Sequence, residues 1–131
     1  MIKQTFKKGE RLHSKKLIDY LFGNGQSFFI YPFKVIFAKW PEKREFPAEI
    51  LISVSKKNFK HAVKRNKIKR LIREAYRRNK EIVWETMQNK ETTLLISFIY
   101  VADNVLSYEE IEKKIILILQ RLKKENEKAD R

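Results

Sequence analysis

A single small α+β domain, with helices packed on a mixed sheet of about four strands, is the fold class this sequence predicts. Three observations carry the expectation. At 131 residues the chain is long enough for one domain with a real core. An apolar fraction of 43%, 12% aromatics, and only three Gly and three Pro exclude a disordered or low-complexity chain. Helix-period and strand-like segments alternate along it, with no internal repeat and no linker between domains.

The elements read in order as follows. "HSKKLIDYLFGNG" is a short helix, with Ser14 as N-cap, Leu17, Ile18, Leu21 and Phe22 on one face, and Gly23 and Gly25 stopping it. "SFFIYPFKVIFAKW" is aromatic and β-branched, which favours a strand. Pro32 cannot donate to a ladder, so it marks a strand start or an edge. Alternation from there places Phe33, Val35 and Phe37 on one face and Lys34, Ile36 and Ala38 on the other. "PEKREFP" is a charged turn, and "AEILISVS", 48–55, returns as a second long strand. A hairpin is the simple reading of that pair.

A basic helix follows over roughly 59–79. "TTLLISFIYV", 92–101, hardly alternates and so is expected to be buried on both faces. "SYEEIEKKIILILQRLKK" opens with a capping box, Ser107 with Glu110, and repeats apolar residues at Ile111, Ile115, Ile118 or Leu119, and Leu122. The order is α-β-β-β-α-β-α if the aromatic run is divided or preceded by an extra strand, and α-β-β-α-β-α otherwise. The chain is one domain over 1–131, with residues from about 125 expected to fray.

Charge is the informative departure from an ordinary domain. The formal net charge is +14, and it is local: residues 56–80 hold twelve of the 30 basic side chains against a single acid, Glu74. The remaining residues hold eighteen basic and fifteen acidic side chains. A concentrated field of this kind attracts a polyanion. On the helix wheel, Ile68, Leu71, Ile72 and Ala75 form a stripe wide enough to pack on a sheet. Asn66, Arg70, Arg73 and Arg77 cluster on the opposite side, with Lys69 beside them. Guanidinium forks match phosphate oxygens, and Asn66 adds a neutral donor and acceptor for sugar or base edges. A merely solvated helix would interleave Glu with Lys, and this one does not.

These residues also resemble a known family. "SVSKKNFKHAVKRNKIKRLIREAYRR", 53–78, is similar to the signature of the bacterial ribonuclease P protein subunit, through Ser53, Lys56, Lys57, Ala62, Val63, Arg65, Asn66, Lys69, Arg70 and Arg73. "ERLHSKKLIDYLFGNGQSF" resembles the family's N-terminal helix, and the likeness spans nearly the whole chain. It implies a protein that binds a large catalytic RNA and helps it remove the 5′ leader of precursor tRNA. Lys56, Lys57, Arg65, Asn66, Lys69, Arg70, Arg73 and Arg77 are then the expected contacts to the catalytic RNA. The resemblance further implies that a cleft between the first helix and the sheet guides the single-stranded leader. Phe22 and Phe33 carry over to that cleft, and Ile18 stands where many members have an aromatic residue. Lys34 or Lys56 supplies charge beside the aromatics. A left-handed β-α-β crossover around the basic helix is implied as well, against the general rule.

Nothing in the sequence points to a catalyst made of protein. Cysteine is absent, which excludes disulfides and thiol chemistry. His13 and His61 lie apart among polar residues, and Glu109, Glu110 and Glu112 serve a helix start. No cofactor or metal is expected on the protein alone, and the resemblance assigns the chemistry to Mg²⁺ with the RNA subunit. The expected partners are the catalytic RNA and precursor tRNA, with no membrane and no obligate protein partner. The N-terminus lacks a signal-peptide apolar stretch, so a cytoplasmic location is expected. A ribosomal-type structural RNA-binding protein is the main alternative. A DNA-binding regulator would need a helix-turn-helix partner where the sequence reads as strand. Membrane binding is the weakest reading, because the apolar face lacks Trp and Phe.

Overall fold

The computed structural model describes residues 4–129. The elements run α1 (Lys15–Asn24), β1 (Gln26–Ile30), β2 (Phe33–Trp40), β3 (Ala48–Val54), α2 (Ala62–Asn79), α3 (Glu81–Met87), β4 (Thr93–Tyr100) and α4 (Tyr108–Ala129), after a single 3-10 turn at Lys8–Glu10. The aromatic run is indeed divided: β1 and β2 form a hairpin whose two-residue turn is Tyr31 and Pro32. The peptide bond between those two residues is cis.

The sheet order is β1-β2-β4-β3, with β2 antiparallel to both neighbours and β3 parallel to β4. This corrects the hairpin expected between residues 33–40 and 48–55. β4 lies between those strands, and its first six side chains in succession are buried. A strand apolar on both faces gains most from a central position. The more polar β1 is left at one edge and β3 at the other. β3's free edge is partly covered by the N-terminal segment, where Leu12 N donates to the Ile50 carbonyl at 2.8 Å and Arg11 bridges to Ile50.

Alternation of side chains puts a different layer on each face. One face carries Phe33, Val35, Ile50, Ile96, Phe98 and Tyr100, and packs against Ile68, Ile72, Ala75 and Tyr76 of α2 and Ile111, Ile115, Ile118, Leu119 and Leu122 of α4. The other face is covered by α1 and the N-terminal segment, with Leu17, Leu21 and Leu12 in one cluster with Ala38 and Leu95. Ser14 caps α1 as expected, accepting from Leu17 N at 3.4 Å. Gly25 ends it where a Cβ would meet the Leu21 carbonyl at 2.4 Å and Ile36 Cγ2 at 2.8 Å. The capping box of α4 also forms, with Glu110 N donating to Ser107 Oγ at 3.2 Å.

Three boundaries differ from the sequence reading. α2 starts at Ala62 rather than 59, because Phe59 turns into the core and donates its N–H to the Ser55 carbonyl. Residues 80–91, to which no element was assigned, contain α3, which buries Val83, Trp84 and Met87. The tail expected to fray from about 125 remains helical to Ala129. Asn126 is buried there and donates to Thr86 Oγ1 at 3.0 Å. Residues 130–131 of that tail lie outside the described residues.

Candidate nucleic-acid interface

α2 is held by its apolar stripe against the sheet and α4, which turns its basic side outward. Ile68, Ile72 and Ala75 are buried and Leu71 is half-buried, so the stripe read from the wheel is the one that packs. Tyr76 joins it at full burial. Asn66 and Arg70 are exposed, and Lys69 and Arg73 are partly exposed. Glu74, the one acid of the segment, is turned toward the helix's C-terminal end. It accepts from Arg77 Nη2 at 2.5 Å and from Arg78 Nε at 3.0 Å. These bonds hold its carboxyl below the usual glutamate value of 4.5. Arg77 also donates to the Gln4 carbonyl at 2.5 Å. Arg65 reaches back and donates to the Phe59 and Lys60 carbonyls at 2.7 and 3.0 Å, so it fixes the turn that carries exposed Lys56 and Lys57. The eight residues expected to meet RNA therefore divide. Lys56, Lys57, Asn66, Lys69, Arg70 and Arg73 face outward, while Arg65 and Arg77 are already engaged within the protein.

The structure adds a cation that sequence reasoning missed. The N-terminal segment along the edge of β3 brings Arg11 up to α2. A groove of about 210 Å³ opens there, lined by Arg11, His13, Lys69 and Arg73 above Phe6 and Ile50. Partial burial, followed by repulsion from Arg11 and Arg70, pushes the Arg73 guanidinium below its ordinary pKa. Like charges brought together in this way create a site that an anion would relieve. Arg11 lies outside the basic run, so only the pairing of residue 11 with residue 50 could have revealed it.

The second surface is the sheet face beside α1, where the resemblance implies a cleft. On that helix Tyr20 lies on one flank, donating its hydroxyl to the Lys39 carbonyl at 3.1 Å and packing on Trp40. Helix periodicity puts Ile18 and Phe22 on the other flank. Ile18 is half-buried, and Phe22 is 50% exposed. On the same face of the sheet, register aligns Phe29, Lys34, Ile99 and Ser53 across all four strands. Lys34 is exposed, and Ile99 and Ser53 are half-buried. Phe33 does not belong here. It is fully buried on the opposite face, against Phe98 and Tyr100, because adjacent strand residues point to opposite faces and Lys34 already occupies the cleft side. The carry-over of Phe33 to the cleft is thus corrected. Phe28 is buried as well, whereas Phe29 and Tyr31 are 58% and 52% exposed. An unbroken aromatic run gives no alternation from which to sort them.

His13 and His61 are both exposed, in the separate segments that precede α1 and α2, and His13 Nδ1 sits 3.0 Å from the Arg11 carbonyl. Among the described residues, no group of three or more His, Cys, Asp or Glu side chains comes together to hold a metal ion. Nor is any described helix long and apolar enough to cross a membrane.

The family model described as Ribonuclease P matches residues 6–123. The chain belongs to the ribonuclease P protein family. The ribonuclease P protein component of Porphyromonas gingivalis strain ATCC 33277 is 37% identical over 115 residues, covering 88% of this chain and 84% of the relative. That of Petrotoga mobilis is 32% identical over 126 residues, covering 91% and 96%. Among solved structures, the RNase P protein from Thermotoga maritima aligns with a TM-score of 0.67 at 26% identity, covering 86% of this chain and 96% of that one. The Staphylococcus aureus RNase P protein shares the fold, with a TM-score of 0.65 at 24% identity and coverage of 87% and 95%. The α+β architecture with its four-stranded mixed sheet is therefore that of the family.

Proposed function

We propose that this chain is the protein subunit of a ribonucleoprotein ribonuclease P, docking on the catalytic RNA and guiding the 5′ leader of precursor tRNA. The observation that carries the reading is the outer side of α2. Asn66, Lys69, Arg70 and Arg73 face solvent together, and the only nearby acid of the helix is turned away to Arg77 and Arg78. Family membership supports an RNA, rather than an unspecified polyanion, as the partner of that cationic surface. Lys56 and Lys57 on the preceding turn and Arg11 across the groove extend it.

The cleft supports the second half of the proposal. Single-stranded RNA is held by aromatic platforms beside cations, because each base offers a π-face and each linkage a phosphate. Phe22 and Ile18 form one wall and Lys34 stands on the floor, so the cleft can take extended RNA without reading its sequence. In this reading Mg²⁺ belongs to the RNA and carries the hydrolytic chemistry. The protein positions the leader and offsets the repulsion among crowded phosphates.

The test is reconstitution with a bacterial catalytic RNA and precursor tRNA at low Mg²⁺, following release of the 5′ leader. Protein-dependent stimulation is expected. Failure of the well-folded protein to stimulate several such RNAs would leave a structural RNA-binding role as the better description.

A further inference from the structure

We infer that Phe29 and Tyr31, on the outer strand of the sheet, form a second stacking platform for single-stranded RNA that lengthens the leader path beyond the α1 cleft. The inference rests on the leader-guiding role proposed above and extends it to a place the sequence reading left unassigned.

The two rings are among the few large apolar side chains left exposed, and they adjoin each other. Their centroids are 6.4 Å apart and their planes 61° from parallel, so neither covers the other's outer face. Phe29 is directly opposite Lys34 in the β1–β2 register, which puts it on the face α1 leaves open. The row Ser53, Ile99, Lys34, Phe29 thus runs without a break from the β3 side, where α2 and Lys56 lie, to the far edge of the sheet. Tyr31 continues it around the hairpin turn. At about 4.8 Å per strand the row spans roughly 14 Å, so Phe29 meets nucleotides farther upstream than those lying over Ile99.

Exposed aromatics at a sheet edge could equally serve a second protein copy. The charge favours RNA: Lys34 stands beside Phe29, and Lys113 and Lys114 of α4 line the recess next to Tyr31, opposed there by Glu110 alone. A chain of net charge +14 repels a copy of itself and attracts a phosphodiester backbone.

The experiment uses the reconstituted ribonucleoprotein and precursor tRNAs whose leaders lengthen one nucleotide at a time, comparing wild type with the Phe29→Ala/Tyr31→Ala double variant. Wild type should bind more tightly as the leader grows. The variant should follow it for short leaders and then fall behind by about tenfold once the leader is long enough to reach β1. Its melting temperature should stay that of wild type, since both rings are exposed. Phe29→Trp should retain the affinity, and 2-aminopurine in the distal leader should be quenched by wild type only. Equal gains for wild type and variant would overturn the platform while leaving the cleft in place. If wild type itself gained nothing from a longer leader, the guiding role would fall first. A self-association of the free protein abolished by the double variant would assign the rings to a second copy instead.

Discussion

Lys80 Nζ lies 2.8 Å from Glu10 Oε1, with both side chains almost wholly withdrawn from solvent. Glu10 also accepts from Lys7 N at 2.6 Å, and Lys80 donates to the Thr5 carbonyl and sits 4.0 Å above the Trp84 ring. The pair therefore pins the N-terminal segment to the junction of α2 and α3. It is this anchorage that holds Arg11 beside Arg73. Removing one partner would strand the other charge in the interior, at a cost of about 3–5 kcal/mol. Glu10→Ala is expected to lose that much in urea unfolding, and Glu10→Leu/Lys80→Met to recover most of it. Equal losses in the single and double variants would show that the pair is not the anchor.

Of the two phenylalanines that the resemblance places in the cleft, Phe22 is exposed and Phe33 is buried, and their alanine variants should separate accordingly. Phe33→Ala empties a fully buried site and is expected to destabilise the fold by about 3–5 kcal/mol. Whatever binding it loses should be lost equally for precursor and mature tRNA. Phe22→Ala, on a half-exposed side chain, should leave stability within about 0.5 kcal/mol. It should instead weaken precursor tRNA selectively, by about 1 kcal/mol or more of lost stacking. Paired melts and affinities for the two RNAs measure this. A selective loss in Phe33→Ala without destabilisation would contradict the assignment of faces.

The helices were largely legible because their signals are local. The α2 stripe of Ile68, Ile72 and Ala75, the Ser14 cap and the Ser107 capping box each depend on residues within a turn or two. β4 revealed its burial because its apolar run ignores alternation. Strand pairing was not legible, since nothing near residues 40–48 says that a strand from residue 93 onward will separate β2 from β3. The same limit hid Arg11, which joins the basic surface only through β3's edge. Alternation puts Lys34 and Phe33 on opposite faces of β2, as the structure has them, whereas the resemblance implies one cleft for both. Composition alone could not say which rings of the aromatic run would remain outside.

Tyr76 links stability to alkaline pH. Its hydroxyl accepts from Trp84 Nε1 at 2.9 Å inside the core, and burial raises the phenol far above its ordinary pKa of 10.0. The unfolded chain loses this proton near the ordinary value and the folded chain keeps it. Stability is thus complete below about pH 10 and falls as pH rises above that toward the folded value. Tyr76→Phe should flatten the alkaline limb of an unfolding-versus-pH series. At neutral pH it should be less stable by about 1–3 kcal/mol, because the Trp84 N–H loses its acceptor. Tyr100 and Tyr108 are shifted in the same direction, so part of the limb should remain.

Glu74 pairs with two of the α2 arginines, and in the proposed function it would limit the charge offered to RNA. Its carboxylate binds Arg77 and Arg78 and draws both toward the protein's own surface. Glu74→Gln removes the negative charge, and the affinity for the catalytic RNA should rise with a steeper dependence on salt. Arg70→Ala and Arg73→Ala should act in the opposite sense, each reducing the slope of log affinity against log salt by roughly 0.7–0.9 if it releases one phosphate contact. Arg65→Ala is the less clean variant, since it also frees the Phe59 and Lys60 carbonyls, and its melt should drop with its affinity. Affinity titrations at several salt concentrations decide the matter. Unchanged slopes in Arg70→Ala and Arg73→Ala would move the RNA contact off α2 altogether. A flatter slope in Glu74→Gln would mean that Glu74 orders Arg77 and Arg78 for binding, and that its charge is not a counterweight.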